Sequence, residues 1–561
     1  MEMTGSQALM ESLVHAGVDT IFGYPGGAIM PAYDALYDYR DRIRHVLVRH
    51  EQGASHAAEG YARVKNRPGV CLVTSGPGAT NLVTGIADAM LDSVPLVCIT
   101  GQVAKAFLGT DAFQETDIIG ITIPITKWNY QITDASEIPY IIAKAFFIAH
   151  HGRPGPVLID ITKNAQIAKM NYEPVTINSL PHFETKPPVD LSRIDAAAAL
   201  INSAKAPFML VGHGVLIAQA QEEVIALAER ANIPMAATLH GLSAVPTSHE
   251  LYTGMLGMHG HYGPNLLTNQ ADVIIAVGMR FDDRVTGNLN GYATNAKVIH
   301  IDIDAAELGK NVPTIVPLVA DAKDALVALL PKIEPRQHPE WLGEFKRCEA
   351  IEFEKVVEQG IHPKSGEIKM GEVINLLSEK TGGEAIVVAD VGQHQMMAAR
   401  YYRFKKPDSW ICSGGLGTMG FALPAAMGAK IGAPQRPVIA VAGDGGFQMT
   451  IQELGTIAQE GLAVKTIILN NNFLGMVRQW QELFFEKRYS FVTMENPDFV
   501  KIAEGYGVPA RKVSVREELA EAMTEMLEAK GPFVLEVVCE KEQNVFPMVP
   551  AGASVTDIRL E

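Results

Sequence analysis

The chain has 561 residues, 47% hydrophobic and 20% charged, with a formal net charge of −16. That length accommodates about three or four domains, the composition is that of an ordinary globular protein, and the acidic excess argues against nucleic acid or an anionic membrane as main partner. No uninterrupted apolar run has the length of a membrane helix. The opening MEMTGSQALMESLVHAG lacks the basic region, apolar stretch and cleavage site of a signal peptide. Five scattered cysteines (Cys71, Cys98, Cys348, Cys412, Cys539) with no CxxC pair read as reduced thiols in a cytoplasmic setting, most of them buried in strands.

The first domain, residues 1–175, alternates helix and strand. A helix over 4–16 leads to a strand at 20–22, the GYPGG turn and a helix over 28–38. A strand at 45–48 feeds a helix beginning near Glu51, and a strand at 70–74 runs into the SGPGATN turn, another helix and a strand at 95–100. Short apolar runs followed by glycine-rich turns and amphipathic helices predict a parallel sheet covered on both faces. The polar, proline-containing stretch 178–190 reads as a linker. A second domain, 191–345, repeats the pattern with strands at 208–211, 234–237, 273–277 and 298–303, and PKIEPRQHPEW (331–341) is the next candidate boundary. A third domain, 365–545, ends on a strand at 533–538 and is followed by a tail, 546–561. The fold class is α/β, with three doubly wound parallel-sheet domains whose likeness suggests an old duplication.

The chemistry concentrates in residues 443–475. A strand over 437–442 meets Gly443-Asp444-Gly445-Gly446, then a helix, then a second apolar strand ending in three asparagines. Both strands deliver polar residues at their C-terminal ends, where ligands bind in open α/β sheets, so Asp444 and Asn471 can converge although a helix separates them. A hard cation such as magnesium needs few protein oxygens when phosphate and water complete its shell. The glycines let the backbone turn tightly and approach a phosphate, with helix N–H groups aimed at the same place. Without that context Asp444 reads equally well as a turn residue or helix cap.

Glu51, in RHEQGASHAAEGYAR, stands where strand gives way to helix, which places its carboxylate at the C-terminal edge of the first sheet. Taken alone it reads as a first-turn acid complementing the helix dipole.

The GDG turn followed by paired asparagines resembles the thiamin-diphosphate motif. RHEQG resembles the segment in which such enzymes carry their essential glutamate. Together with YPGGA (24–28), SGPGATN (75–81), GTDAFQE (109–115), GRPGPV (152–157), RFDDRVTG (280–287), HIDID (300–304), GMVRQW (475–480) and FPMVPAGA (546–553), these segments extend the resemblance over essentially the whole chain, to the catalytic large subunits of the acetolactate (acetohydroxyacid) synthase family. RFDDRVTG, GMVRQW and MVPAGA are the more specific of them.

The resemblance implies an N-terminal pyrimidine-binding domain, a central FAD-type domain and a C-terminal domain for thiamin diphosphate and magnesium. It implies a transferase that decarboxylates pyruvate and joins the two-carbon unit to a second 2-oxo acid, the first common step of branched-chain amino-acid biosynthesis. Glu51 would drive the aminopyrimidine to its imino form, with the Gly27 backbone near the reacting carbon and Gln114 in the substrate channel. Asp444, Asn471 and the Phe473 carbonyl would hold the metal. Gln393 and His394, in VGQHQM, would meet the diphosphate with Gly443, Gly445 and Gly446. Gly417 would offer a carbonyl to the cofactor, and Met419 would wedge it into a bent shape. Arg284 would bind the acceptor carboxylate, a task suited to a planar, permanently charged group; outside the family match it reads as an ion pair with Asp282 or Asp283. Met476 and Trp480, one helical turn apart, would line the acceptor pocket, and Phe113 and Lys163 the channel. Arg153, His259, Arg280, Asp302 and Asp321 would contact FAD.

The family further implies a homodimer or homotetramer with active sites between chains and a small regulatory subunit. Ala104 and Ala106 stand where many relatives carry Pro and Arg, and Trp128 where His is common. The alternative readings are an FAD-linked pyruvate oxidase or another thiamin-diphosphate 2-oxo acid decarboxylase.

Overall fold

The structure is a computed structural model that describes residues 1–561. Its frame is three six-stranded sheets, each parallel throughout. Numbered along the chain within each sheet, the first and last share the strand order 2-1-3-4-6-5, whereas the central sheet runs 3-2-1-4-5-6. The first and third units are therefore topological copies. The central one has a different winding, the order of dinucleotide-binding sheets, so a duplication of all three is corrected to a pairing of two.

The inner strands of every sheet are buried on both faces, as their apolar runs require, whereas edge strands such as Trp128–Ile132 and Ala510–Val513 are only partly covered. One core joins the first and third sheets. It holds Phe22, Val46 and Cys98 from one and Ile386, Val438 and Ala440 from the other, with helices Glu51–Lys65 and Ala422–Gly432 between them. Those helices approach closely because glycines face backbone: a Cβ on Gly60 would collide with the Ala425 carbonyl, and one on Gly428 with that of Ala57. Gly428→Val is accordingly expected to destabilise the fold by about 3 kcal/mol, since the Ala57 carbonyl, part of a buried helix backbone, cannot yield. Urea unfolding measures it, and an unchanged midpoint would contradict the close contact.

Beside this contact lies a buried cluster. His56 Nδ1 meets Glu59 Oε1 at 3.0 Å with both side chains fully buried, and Ser413 Oγ donates to Asp88 Oδ1 at 2.6 Å. Burial, then the Glu59 and Asp92 charges, push the Asp88 carboxyl up to about 8, and burial raises Glu59 well above its usual range. The other charged or titratable groups facing the pair are His56, Arg63 and His240. A carboxyl raised on folding stabilises fully below its unfolded value of 3.8 and loses that contribution as pH rises through the folded value. Stability should fall by roughly 1.4 kcal/mol per pH unit for each proton released, up to about pH 8. Asp88→Asn should flatten the slope, as melting temperature against pH would record.

Helix Pro339–Glu352 begins inside the stretch read as a boundary and runs past residue 345. It packs on the central sheet, with Trp341 Nε1 donating to the Pro207 carbonyl at 2.8 Å and Phe345 against Phe208. Residues 546–561 also return to the central unit: Val549 N donates to the Met258 carbonyl, Asn288 N to that of Ala553, and Val555 enters its core. SGPGATN contains a short helix, Pro77–Thr80, in place of a simple turn. All five cysteines are free and buried. Cys71, Cys98 and Cys412 lie in strands, Cys348 lies in a helix, and Cys539 follows a strand. No helix is long and apolar enough to cross a membrane.

Candidate active site

Each sheet opens a crevice where neighbouring strands send their connections to opposite faces, and the chemistry-bearing motifs occupy these crevices. In the third sheet the adjacent strands are Ile386–Ala389 and Val438–Gly443. The first runs into Gly392, Gln393 and His394, the second into Asp444, Gly445 and Gly446. Asp444 is 1% exposed, no basic side chain pairs with it, and burial pushes its carboxyl up to about 6. Asn471, just beyond strand Val464–Asn470, accepts from Phe473 N at 3.3 Å and donates to Gln393 Oε1 at 3.2 Å. The helix begins at Asp444 itself, taking in Gly445 and Gly446, and is broken in two, Asp444–Met449 and Glu453–Gln459, where Thr450 Oγ1 turns aside to the Gly420 carbonyl.

The donors here are oxygens: a carboxylate, asparagine amides and loop carbonyls, the set a hard divalent cation takes. His394 Nε2 is buried without a partner, and burial holds this imidazole neutral, lowered to about 3. Side chains on Gly392 or Gly443 would run into that ring, and one on Gly445 into Leu474. The crevice is thus kept clear of Cβ atoms and carries an unspent polar group, which fits a metal-bound diphosphate. Sequence reasoning missed Asn496, whose Nδ2 reaches Asp444 Oδ2 at 2.6 Å, Asn470 Oδ1 at 3.0 Å and Asn472 Oδ1 at 3.1 Å. Nothing in ENPDF marks it, because only folding brings it across.

In the first sheet the crevice lies between the ends of Thr20–Tyr24 and Gly69–Val73, at Gly27 and Gly78. Glu51 opens helix Glu51–Lys65 with His50 as cap, its ring accepting from Gln52 N. Glu51 is 9% exposed and its carboxylate accepts from Asn81 Nδ2 at 2.8 Å, so the asparagine of SGPGATN joins the candidate site. Gln114, at φ 60°, lies against Gly76, and Phe113 beside it is 88% exposed. Lys163 follows strand Pro156–Thr162. All stand on the C-terminal rim of one sheet.

The central crevice opens into a cavity of about 1400 Å³ that reaches the other two units. At its floor Gly212 and Gly214 interlock with Gly278, where any Cβ would strike backbone; the weak glycine signal of VGHGVL becomes a specific one in the fold. Arg153, His259, Arg280, Asp302 and Asp321 all line the cavity. Arg153 pairs with Asp304 at 3.2 Å and Glu307 at 3.0 Å. Asp321 caps a helix, accepting from Lys323 N and Asp324 N. Burial pushes the Asp302 carboxyl up to about 6, and both His259 ring nitrogens are buried without hydrogen-bond partners. A large crevice at this switch point with orphaned donors fits a dinucleotide such as FAD.

The same cavity is walled by Gly417 and Met419 and by Arg284, Met476 and Trp480. Asp282 spends its carboxylate on capping Arg284 N and Val285 N. Arg284 meets Asp283 only at 3.8 Å, with both side chains largely exposed, so its guanidinium is open to an incoming carboxylate. Helix Gly475–Phe484 presents Met476 and Trp480 together. Glu51, Gly27, Gln114, Phe113 and Lys163 are absent from this wall.

Fold and site define an enzyme that holds a diphosphate-bearing cofactor through a divalent cation, with a dinucleotide crevice beside it. Residues 3–121, 194–329 and 390–537 match the N-terminal TPP binding, central and C-terminal TPP binding domains of the thiamine pyrophosphate (thiamin diphosphate) enzymes. The acetolactate synthase large subunit of Corynebacterium glutamicum is 48% identical, over 99% of this chain and 90% of its own length. Acetolactate synthase isozyme 2 large subunit of Escherichia coli is 44% identical, over 99% of both, and the chloroplastic acetolactate synthase 1 of Nicotiana tabacum 44%, over 99% and 85%. The chain belongs to the thiamine pyrophosphate enzyme family, among the acetolactate synthase large subunits.

Proposed function

We propose that the protein is the catalytic subunit of an acetolactate synthase, which decarboxylates pyruvate and joins the two-carbon unit to pyruvate or 2-oxobutyrate in branched-chain amino-acid synthesis. The observation that carries this reading is the shared wall: Met419 and Gly417 face Arg284, Met476 and Trp480 across one cavity. A decarboxylase or oxidase has no second 2-oxo acid to read with those last three.

Bound thiamin diphosphate supplies the electron sink that lets carbon dioxide leave. Asp444, Asn471 and the Phe473 carbonyl would hold magnesium, and Gln393, His394 and the glycines 443, 445 and 446 its diphosphate. Met419 would support the bend of the cofactor and the Gly417 carbonyl receive its amino group. Glu51, steadied by Asn81, would share a proton with the pyrimidine ring nitrogen. Gly27, Gln114, Phe113 and Lys163 would border the reacting carbon and its channel and exclude water from it. Arg284 would take the acceptor carboxylate, while Trp480 and Met476 favour its larger side chain. Arg153, His259, Arg280, Asp302 and Asp321 would hold FAD beside the reaction without a redox step.

The position of Glu51 outside the wall that carries Met419 supports a dimer as the smallest working unit, with a second copy bringing the glutamate. The relatives are named large subunits, which supports a small regulatory partner. A cytoplasmic setting agrees with five unpaired thiols.

The test supplies purified protein with pyruvate, thiamin diphosphate, magnesium and FAD, with and without 2-oxobutyrate. Acetolactate and acetohydroxybutyrate are expected. Free acetaldehyde or acetyl phosphate alone would overturn the reading. In mixed-substrate competition, Trp480→Leu should lower the preference for 2-oxobutyrate by about tenfold or more, the worth of one methylene in an apolar pocket.

A further inference from the structure

The turn that presents Glu51 is held by the C-terminal unit of its own chain. Glu453, fully buried, opens helix Glu453–Gln459, the next helix after the one that begins at Asp444. Its Oε1 accepts from both Arg49 N at 3.0 Å and His50 N at 3.1 Å, the two amides immediately before Glu51. Thr456 Oγ1 donates to Glu453 Oε2 at 2.7 Å, which fixes the carboxylate plane, and also reaches the Leu47 carbonyl at 3.2 Å. The Arg49 side chain returns to the same helix through Gln459 at 2.8 Å. Gly53 leaves the room, because a Cβ there would collide with Glu453 Oε1.

We propose that Glu453 is a positioning residue for catalysis: it clamps the strand-to-helix turn 47–50 so that Glu51 meets the pyrimidine ring, and Gly53 is glycine so that the clamp can close. The inference rests on the role proposed for Glu51. It gives the C-terminal unit a second task, since the segment that carries Asp444 also sets the glutamate of its own chain. A one-ångström displacement of a reacting group costs up to about 100-fold, so the clamp acts on the proton step more than on cofactor binding.

The test compares wild type with Glu453→Ala, Glu453→Gln and Gly53→Ala. Gly53→Ala is the gentle variant, because alanine by itself favours a helix. Amide hydrogen exchange of residues 47–53 is measured on the cofactor-free protein. Thiamin-diphosphate affinity with magnesium is measured by calorimetry, and exchange of the thiazolium C2 proton by NMR. Glu453→Ala and Gly53→Ala should speed amide exchange at 47–53 and slow C2 exchange by about tenfold or more, with affinity within about threefold of wild type because the diphosphate is held elsewhere. Glu453→Gln, which keeps an accepting oxygen, should recover part of both. Unchanged amide protection and unchanged C2 exchange in Gly53→Ala would overturn the proposal, as would a loss confined to affinity. A wild-type protein that binds no thiamin diphosphate would instead overturn the functional reading, and the amide-exchange arm would still decide whether the clamp exists.

Discussion

Glu51→Gln is expected to cut turnover by at least about 100-fold, the scale of a positioned proton-transfer group, while leaving melting temperature and thiamin-diphosphate affinity close to wild type. Glutamine keeps the volume of the side chain and an oxygen for Asn81 Nδ2, which now meets Glu51 Oε2. The backbone turn is held independently by the Glu453 bonds to residues 49 and 50. What is lost is the capacity to share a proton with the ring. Steady-state rates with a thermal melt and a binding titration check it, and near-normal turnover would remove Glu51 from the chemistry.

The second large effect falls on the other half of the site. Asp444→Ala should weaken magnesium-dependent thiamin-diphosphate binding by more than about 100-fold, beyond the 10- to 100-fold typical of residues that only orient ligands. Of the two acids of the crevice, Asp390 spends its carboxylate on the Val391, Gly420 and Ala422 amides, whereas Asp444 has Asn496 as its side-chain partner. Its charge is unspent on any basic side chain, so a cation gains the full carboxylate. Asn496→Ala should cost less, about 10- to 100-fold in metal affinity, by freeing Asp444, Asn470 and Asn472 to reorient. Calorimetric titration with magnesium and cofactor orders the two variants, and equal losses would mean that Asn496 is itself a ligand.

How much of this is legible in the sequence depends on whether the cause is local. Strands such as Val273–Val277 announce themselves because both faces are buried and the run is uniformly apolar. Edge strands do not: Val316–Val319 carries Pro317, tolerable only at a sheet edge, and Tyr252–Met255 is short and interrupted by Gly254. Helix Pro339–Glu352 hides in a proline-rich, charged stretch because proline at a helix start looks like a turn. The different winding of the central sheet is invisible in a linear pattern, since crossover length says nothing of which side a strand joins.

At the site, Asp444, Gly443, Gly445, Gly446 and Glu51 are readable through their neighbourhood: singly each passes for a turn, cap or helix-dipole residue, and only the surrounding motifs mark the chemistry. Asn81, Glu453 and Asn496 are not, because each acts on a residue far along the chain. Their value lies in a contact that the sequence order conceals.

In the proposed dimer, Glu51 of one chain and Asp444 of another complete each site. Glu51→Gln and Asp444→Ala chains, each inactive alone, should be co-expressed and their hybrid dimers assayed. In a symmetric dimer with sites between chains, one site of each hybrid carries both defects and the other none, so random pairing should restore about a quarter of wild-type activity. Activity no greater than that of the two inactive parents would instead place both residues in a site within one chain.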